Sequence, residues 1–157
     1  MKMEELDTEK LSRVWNRVKG TDEQDDLKQM LALSRTAAVH CEILARNHIG
    51  FRNRILRQMA LENRTAEQSL LGICALTGCR YPAKTHKLAN RPVRQQLLDC
   101  YTRQQQLCNL YHSHAADPQF GHIYSRLGQQ AAGHCQNFLQ LLGSQPQKSP
   151  GKRNAIN

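Results

Sequence analysis

Residues Ile55 to Gly78 read ILRQMALENRTAEQSLLGICALTG, and this stretch decides the fold. Leu56, Met59, Asn63, Ala66, Leu70 and Ile73 recur at alternating steps of three and four. That period lays a single inward seam along a helix packed in a bundle. Asn63 and Ala66 are odd occupants of such a seam.

Working outward, the same alternation recurs three times. Upstream, Thr21-x-x-Gln24 fits a capping box, and Asp22, Glu23, Asp25 and Asp26 suit the positive end of a helix dipole. The helix they open carries Leu27, Leu31, Ser34, Ala38, Cys41 and Ala45 on one seam and ends near Asn47, before Ile49-Gly50. The second helix runs from about Phe51 to Thr77 and is stopped by Gly78. Cys79 to Arg91, containing Pro82, His86 and Asn90, reads as a connection long enough for a crossover. Pro92 opens the third helix, with Leu97, Cys100, Gln104, Leu107, Tyr111 and Ala115 in register. Asp117-Pro118 ends it and caps the fourth, where Phe120, Tyr124, Leu127, Ala131, His134, Phe138 and Leu141 keep the period down to Gly143.

The expected fold class is therefore all-α, with three segments. Leu6, Leu11, Val14, Trp15 and Val18 predict a short amphipathic N-terminal helix within residues 1–20, opened by Asp7 or Thr8 and closed by Lys19-Gly20. Residues 21–143 form the four-helix bundle. Residues 144–157, SQPQKSPGKRNAIN, have almost no apolar content and read as a disordered basic tail.

A chain of 157 residues has the size of one domain. It lacks a stretch of about 20 apolar residues that would span a membrane, and MKMEELDTEK lacks the apolar core of a signal peptide. The expected location is the cytoplasm, with no membrane partner. Five of the six cysteines (Cys41, Cys74, Cys100, Cys108 and Cys135) fall inside helical patterns where the thiol acts as a small core hydrophobe, and Cys79 falls in the connection. All six are expected to be free thiols in a reducing compartment. The net charge of +9 is uneven, because residues 1–26 hold eight acids against five Lys or Arg and all the positive excess lies downstream.

Leu44-Ala45-Arg46, then Ile55-Leu56-Arg57 with Met59-Ala60-x-Glu62-Asn63, and the exit Leu76-Thr77-Gly78 give the chain a family likeness. It resembles the ferritin-like, rubrerythrin-related proteins of anaerobic bacteria, over roughly Trp15 to Leu142. The resemblance implies a ferritin-like four-helix bundle with one long crossover and a di-iron site held by carboxylates and two Glu-x-x-His pairs. It places the six ligand positions on Ser34, Asn63, Ala66, Gln104, Ala131 and His134. Only His134 matches. Two amides, a hydroxyl and two methyls stand at the other five, and neutral groups do not balance a hard cation pair. Glu42, Glu62 and Glu67 each sit one residue off the seam, about 100° around the helix, and read as turned away from the interior. Glu42 with Arg46, and Glu67 with Arg64, have the spacing of surface ion pairs along one helix.

Other constellations are weaker. Cys108 and His112, four apart, together with His134, offer at most a small mixed thiolate and imidazole site, without Cys-x-x-Cys or His-Glu-x-x-His spacing. His134 reads as a core imidazole bonded to Gln104, Asn63 or Ser34. His112-Ser113-His114 reads as surface. No cysteine carries the orienting partners of a nucleophile, and Gly151-Lys152 lacks the rest of a phosphate loop. Arg46, Arg52, Arg54, Arg57 and Arg64, with Arg80, Lys84, Lys87, Arg91 and Arg94, form a basic surface able to attract polyanions without a base-reading motif.

The functional expectation is a ferritin-like bundle that has lost its di-iron ligands and serves as a non-catalytic binding or interaction protein, with no catalytic or cofactor-binding residue. The alternatives are an iron-binding oxidoreductase of that family with a reorganised site, and a weak nucleic-acid binder. The partner classes left open are a second copy through the bundle helices and a polyanion held weakly.

Overall fold

The computed structural model describes residues 2–81 and 85–143, with side chains from residue 23 onward. Among these residues there are four helices and no strand: α1 (Lys2–Arg46), α2 (Gly50–Thr77), α3 (Val93–Ser113) and α4 (Gly121–Gly143). None is long and apolar enough to cross a membrane.

The expected break after residue 20 is absent, since α1 runs through Gly20 and Thr21 without interruption. A single glycine in a helix costs only about 1 kcal/mol, less than the loss of a turn of hydrogen bonds. The capping box is therefore not used as a helix start. The fourth helix also begins later than Pro118, at Gly121. Asp117 is nevertheless the cap, its Oδ1 accepting from the amides of Gln119 and Phe120 at 2.8 Å each. The expected tail, 144–157, lies outside the described residues.

Side-chain pairs fix the helix directions. Arg64 bonds Glu42 and Arg35 bonds Glu67, so α2 is antiparallel to α1. Arg103 meets His40 and His114 meets Asp26, so α3 is antiparallel to α1. Arg94 donates to the carbonyl of Leu142 and Cys108 to that of Gly128, so α4 is antiparallel to α3. Adjacent pairs are α1 with α2, α3 with α4, α1 with α3 and α2 with α4, which leaves α2 and α3 on a diagonal. Two parallel helices on a diagonal must be joined along the full length of the bundle. The crossover does this, passing Arg35, Thr36 and His40 of α1 before α3 begins.

The turns follow local chemistry. His48 Nδ1 and Asn53 Nδ2 donate at 2.7 Å each to the carbonyls of Leu44 and Ala45 at the end of α1, which also accept the amides of Asn47 and His48 at 3.0 and 3.2 Å. Gly78 closes α2 at φ 71°, a left-handed conformation that glycine adopts without penalty. The seams are buried as the period predicts, apart from Ala115, which is half-buried beyond the end of α3.

The core splits in two. One cluster, around Leu31, Leu70, Leu107 and Leu127, fills the end of the bundle near the α3–α4 turn. The other, around Leu44, Leu56, Leu97 and Phe138, fills the end near the α1–α2 turn.

Among the described glycines, the tightest approach is at Gly121, where a Cβ would clash with the carbonyl oxygen of Ala115, whereas a Cβ at Gly133 would meet nothing within 4 Å. Gly121→Ala should therefore destabilise by about 1–3 kcal/mol. Gly133→Ala should stabilise by up to about 1 kcal/mol through helix propensity. Chemical denaturation of the two variants beside the unmodified protein checks both signs.

Candidate functional site: a polar layer across the bundle

Three helices, α2, α3 and α4, each place one polar side chain at the level between the two apolar clusters, and α1 places a fourth inside the first cluster. Asn63 lies between Met59 and Ala66, Gln104 between Cys100 and Leu107, and His134 between Ala131 and Phe138, whereas Ser34 lies between Leu31 and Ala37 of the first cluster. All four are buried, at 0–3% exposure. They lie on the same seams as the leucines above and below them, so helical period alone carries them inward.

Gln104 Nε2 donates to Asn63 Oδ1 at 3.1 Å. Because α2 and α3 are diagonal, this bond crosses the bundle axis. Asn63 Nδ2 in turn donates to the Met59 carbonyl at 2.9 Å, and Ser34 Oγ to that of Leu31 at 3.1 Å. Ala66 and Ala131 line the neighbouring apolar cluster. The six positions that the resemblance assigns to metal thus converge on the interior, but with a neutral donor set. Five of the six side chains carry no anionic or imidazole ligand, and a di-iron pair does not fit them. Among the described residues, no group of three or more His, Cys, Asp or Glu is placed to hold a metal ion.

His134 corrects the sequence reading. Its Nε2 bonds Glu62 Oε1 at 2.7 Å, not Gln104, Asn63 or Ser34. Glu62 is one residue off the seam, but α4 lies beside α2 on that flank, so the carboxylate reaches sideways to the imidazole. Burial raises the Glu62 pKa, but hydrogen bonds from Gln58 and His134 outweigh it and hold the carboxyl below its ordinary value. A carboxylate accepts, so Nε2 carries the proton and the Nδ1 of a neutral ring is a lone pair. Nδ1 and Gln104 Oε1 are buried without a hydrogen-bond partner. Burial lowers the His134 pKa in spite of the carboxylate.

The other two acids also find partners across helices. Glu42 takes both Arg64 nitrogens, at 2.6 and 2.7 Å, instead of pairing with Arg46. Glu67 is buried at 4% exposure and pairs with Arg35, not Arg64. Residues three or four apart on one helix lose to a neighbouring helix that offers a closer partner. His114, read as surface, bonds Asp26 at 2.7 Å and packs on the Tyr124 ring. Cys108 donates to the Gly128 carbonyl and the exposed His112 ring packs at the same glycine, while His134 is engaged by Glu62. A joint thiolate and imidazole site is not assembled.

A second polar cluster, missed in the sequence, holds the crossover on α1. His40 Nε2 donates to the His86 carbonyl at 2.6 Å, the Thr36 hydroxyl accepts from the His86 amide at 3.4 Å, and Arg35 Nε donates to Thr85 at 3.0 Å. Since a carbonyl only accepts, the Nε2 proton fixes the tautomer, and Nδ1 receives Arg103 Nη1 at 2.9 Å. Burial lowers the His40 pKa, the bond to His86 opposes it, and the Arg103 charge lowers it further. The only signal in the sequence was Thr36 and His40 standing four apart off the seam.

On the outer face of α1 and α2 lies a groove of about 820 Å³. Ala45 and Ala60 form its floor, and Arg46, Arg54 and Arg57 are in its walls. Two facing alanines leave the gap that larger side chains would fill. Its one acid, Glu42, is held by Arg64.

In comparisons with known proteins, no family model, curated protein or solved structure matches this chain.

His40 and His134, whose folded pKa values are both depressed, bind protons more weakly in the folded than in the unfolded chain. Stability is then lost as pH falls below the ordinary imidazole value of 6.5 toward the depressed folded values. Melting temperature should fall on acidification through that window. The fall should be shallower in His40→Gln, whose amide can donate to His86 and accept from Arg103 without titrating. A profile that is flat, or rises on acidification, would contradict this assignment.

Proposed function

We propose that this chain is a divergent ferritin-like bundle whose di-iron positions have become a neutral polar layer, and that it works as a non-catalytic binding protein for an anionic partner. The observation that carries the reading is the Gln104–Asn63 bond across the axis. At two positions where the resemblance expects carboxylates, two amides bond to each other. The helix order, the long crossover and the convergence of Ser34, Asn63, Ala66, Gln104, Ala131 and His134 also support it.

A carboxylate-bridged metal pair needs several negative oxygens to offset its charge and the cost of its burial. The layer supplies one imidazole, whose Nε2 is occupied by Glu62. The interior therefore serves packing, and the chemistry available for recognition lies outside. The groove between α1 and α2 presents three guanidiniums over an alanine floor, an arrangement suited to phosphate or carboxylate groups. No base-reading element accompanies it, so a nucleic acid would be held by its backbone and without regard to sequence.

Two measurements test this reading. Elemental analysis of protein purified without a metal-affinity tag should find less than one equivalent of iron or manganese per chain. Two tightly held equivalents, lost on replacing Asn63 or Gln104, would favour the alternative of a metal-dependent oxidoreductase. Binding to a fluorescent single-stranded oligonucleotide should weaken at least about tenfold between roughly 50 and 200 mM salt. It should weaken similarly in Arg54→Glu/Arg57→Glu and ignore sequence. Tight, sequence-selective binding that survives the higher salt would overturn the anionic-groove reading.

A further inference from the structure

We propose that Cys74 and Cys79 form a reversible disulfide, making the C-terminal cap of α2 an oxidation site whose co-substrate is a hydroperoxide. The proposal stands apart from the reading of the polar layer and the groove, since it rests on the geometry of one helix end.

The backbone brings the pair together. Gly78 is left-handed, and the Cys79 amide donates to the Cys74 carbonyl at 2.9 Å, closing a six-residue loop. In this cap, the residue two past the helix end and the one in its last turn come into side-chain contact, and that contact is commonly hydrophobic. Here both residues are cysteines. Cys74 Sγ already reaches across, donating to the Cys79 carbonyl at 2.9 Å. A disulfide requires its two Cα atoms within about 4.4 to 6.8 Å, and a loop closed by a backbone hydrogen bond between the same two residues brings them side by side.

Exposure divides the roles. Cys79 is half-buried in the connection, whereas Cys74 is 5% exposed at the edge of the core. Burial first, then the bond to Cys79, pushes the Cys74 thiol up to about 11, so it is protonated at neutral pH. Cys79 is the sulfur an oxidant meets. The other four cysteines are placed differently. Cys41 and Cys100 are sealed in the far cluster, Cys108 donates to the Gly128 carbonyl, and Cys135 is buried on α4.

The chemistry balances in two steps. The Cys79 thiol gives its proton to solvent, its thiolate attacks the terminal oxygen of the hydroperoxide, the O–O bond breaks, and the leaving alkoxide takes up a proton, so the products are the Cys79 sulfenic acid and an alcohol, or water for hydrogen peroxide. Cys74 sulfur, giving up its proton, then attacks the Cys79 sulfur. The S–S bond forms as the S–O bond breaks, and hydroxide leaves as water with that proton. Two thiols are oxidised by two electrons and the peroxide is reduced by two. A dithiol reductant reverses the step by thiol–disulfide exchange. The bond would tie the last turn of α2 to the start of the crossover, beside Tyr81, which packs on the core.

Peptide mapping of the full chain decides the matter, because both cysteines lie on one tryptic peptide, Thr65–Arg80. After brief exposure to hydrogen peroxide and alkylation under denaturing conditions, this peptide should be lighter by two hydrogens and carry no alkyl group. The other four cysteines should remain alkylated. A dithiol should restore both alkylation sites. Cys74→Ser should leave Cys79 as a sulfenic acid trapped by a dimedone-type probe, and Cys79→Ser should leave Cys74 unoxidised. The proposal fails if Thr65–Arg80 stays doubly alkylated while other cysteines oxidise, or if Cys79 links only to a second chain.

Discussion

The bond between Gln104 and Asn63 sets a constraint that the rest of the bundle meets. It joins α2 and α3, one of the two diagonal pairs that do not touch along their backbones, and it does so at the boundary of two apolar clusters. A buried amide pair gains only about 1 kcal/mol net, whereas leaving either member unpartnered costs about 1–3 kcal/mol. Sliding α2 against α3 by one turn would replace this bond with two amides facing apolar side chains, Gln104 at Met59 or Ala66 and Asn63 at Cys100 or Leu107. The layer therefore fixes the register of the bundle more than it adds to its stability, in the manner of a single polar residue in a coiled-coil seam.

The second constraint is the crossover. A connection that must run the length of the bundle exposes backbone amides and carbonyls that no helix satisfies. Thr36 and His40 take up both polar groups of His86, and the role of His40 as donor to a carbonyl settles which nitrogen carries its proton. Arg103 on the other nitrogen then ties α3 to the same point. One imidazole thereby connects α1, the crossover and α3, and it does so only while neutral.

Ion pairs follow the same logic of neighbouring helices. Glu42, Glu62 and Glu67 all sit one step off the α1 and α2 seams, a position that faces the flank of the helix. In a bundle the flank is where the next helix lies, so each acid meets Arg64, His134 or Arg35 instead of solvent. The partner is thus decided by which helices become adjacent. Sequence spacing alone favoured Arg46 and Arg64 as the partners of Glu42 and Glu67.

The sequence by itself determined the all-α class, the four seams, the ends of α2 and the burial of Ser34, Asn63, Gln104 and His134. All of these follow from the 3.6-residue period and from local glycine and proline chemistry, which need no knowledge of distant residues. The continuity of α1 through Gly20 was not legible, because one glycine's propensity is too small to set a boundary. The pairing of His134 with Glu62, the grip of His40 on His86 and the cross-helix partners of the three acids were decided only by tertiary structure. Each depends on which helix stands beside which, and two side chains tens of residues apart carry no local signal of their meeting. The Cys74–Cys79 juxtaposition lies between these cases: Gly78 announces the cap, but the backbone bond that closes it places the two sulfurs on one turn.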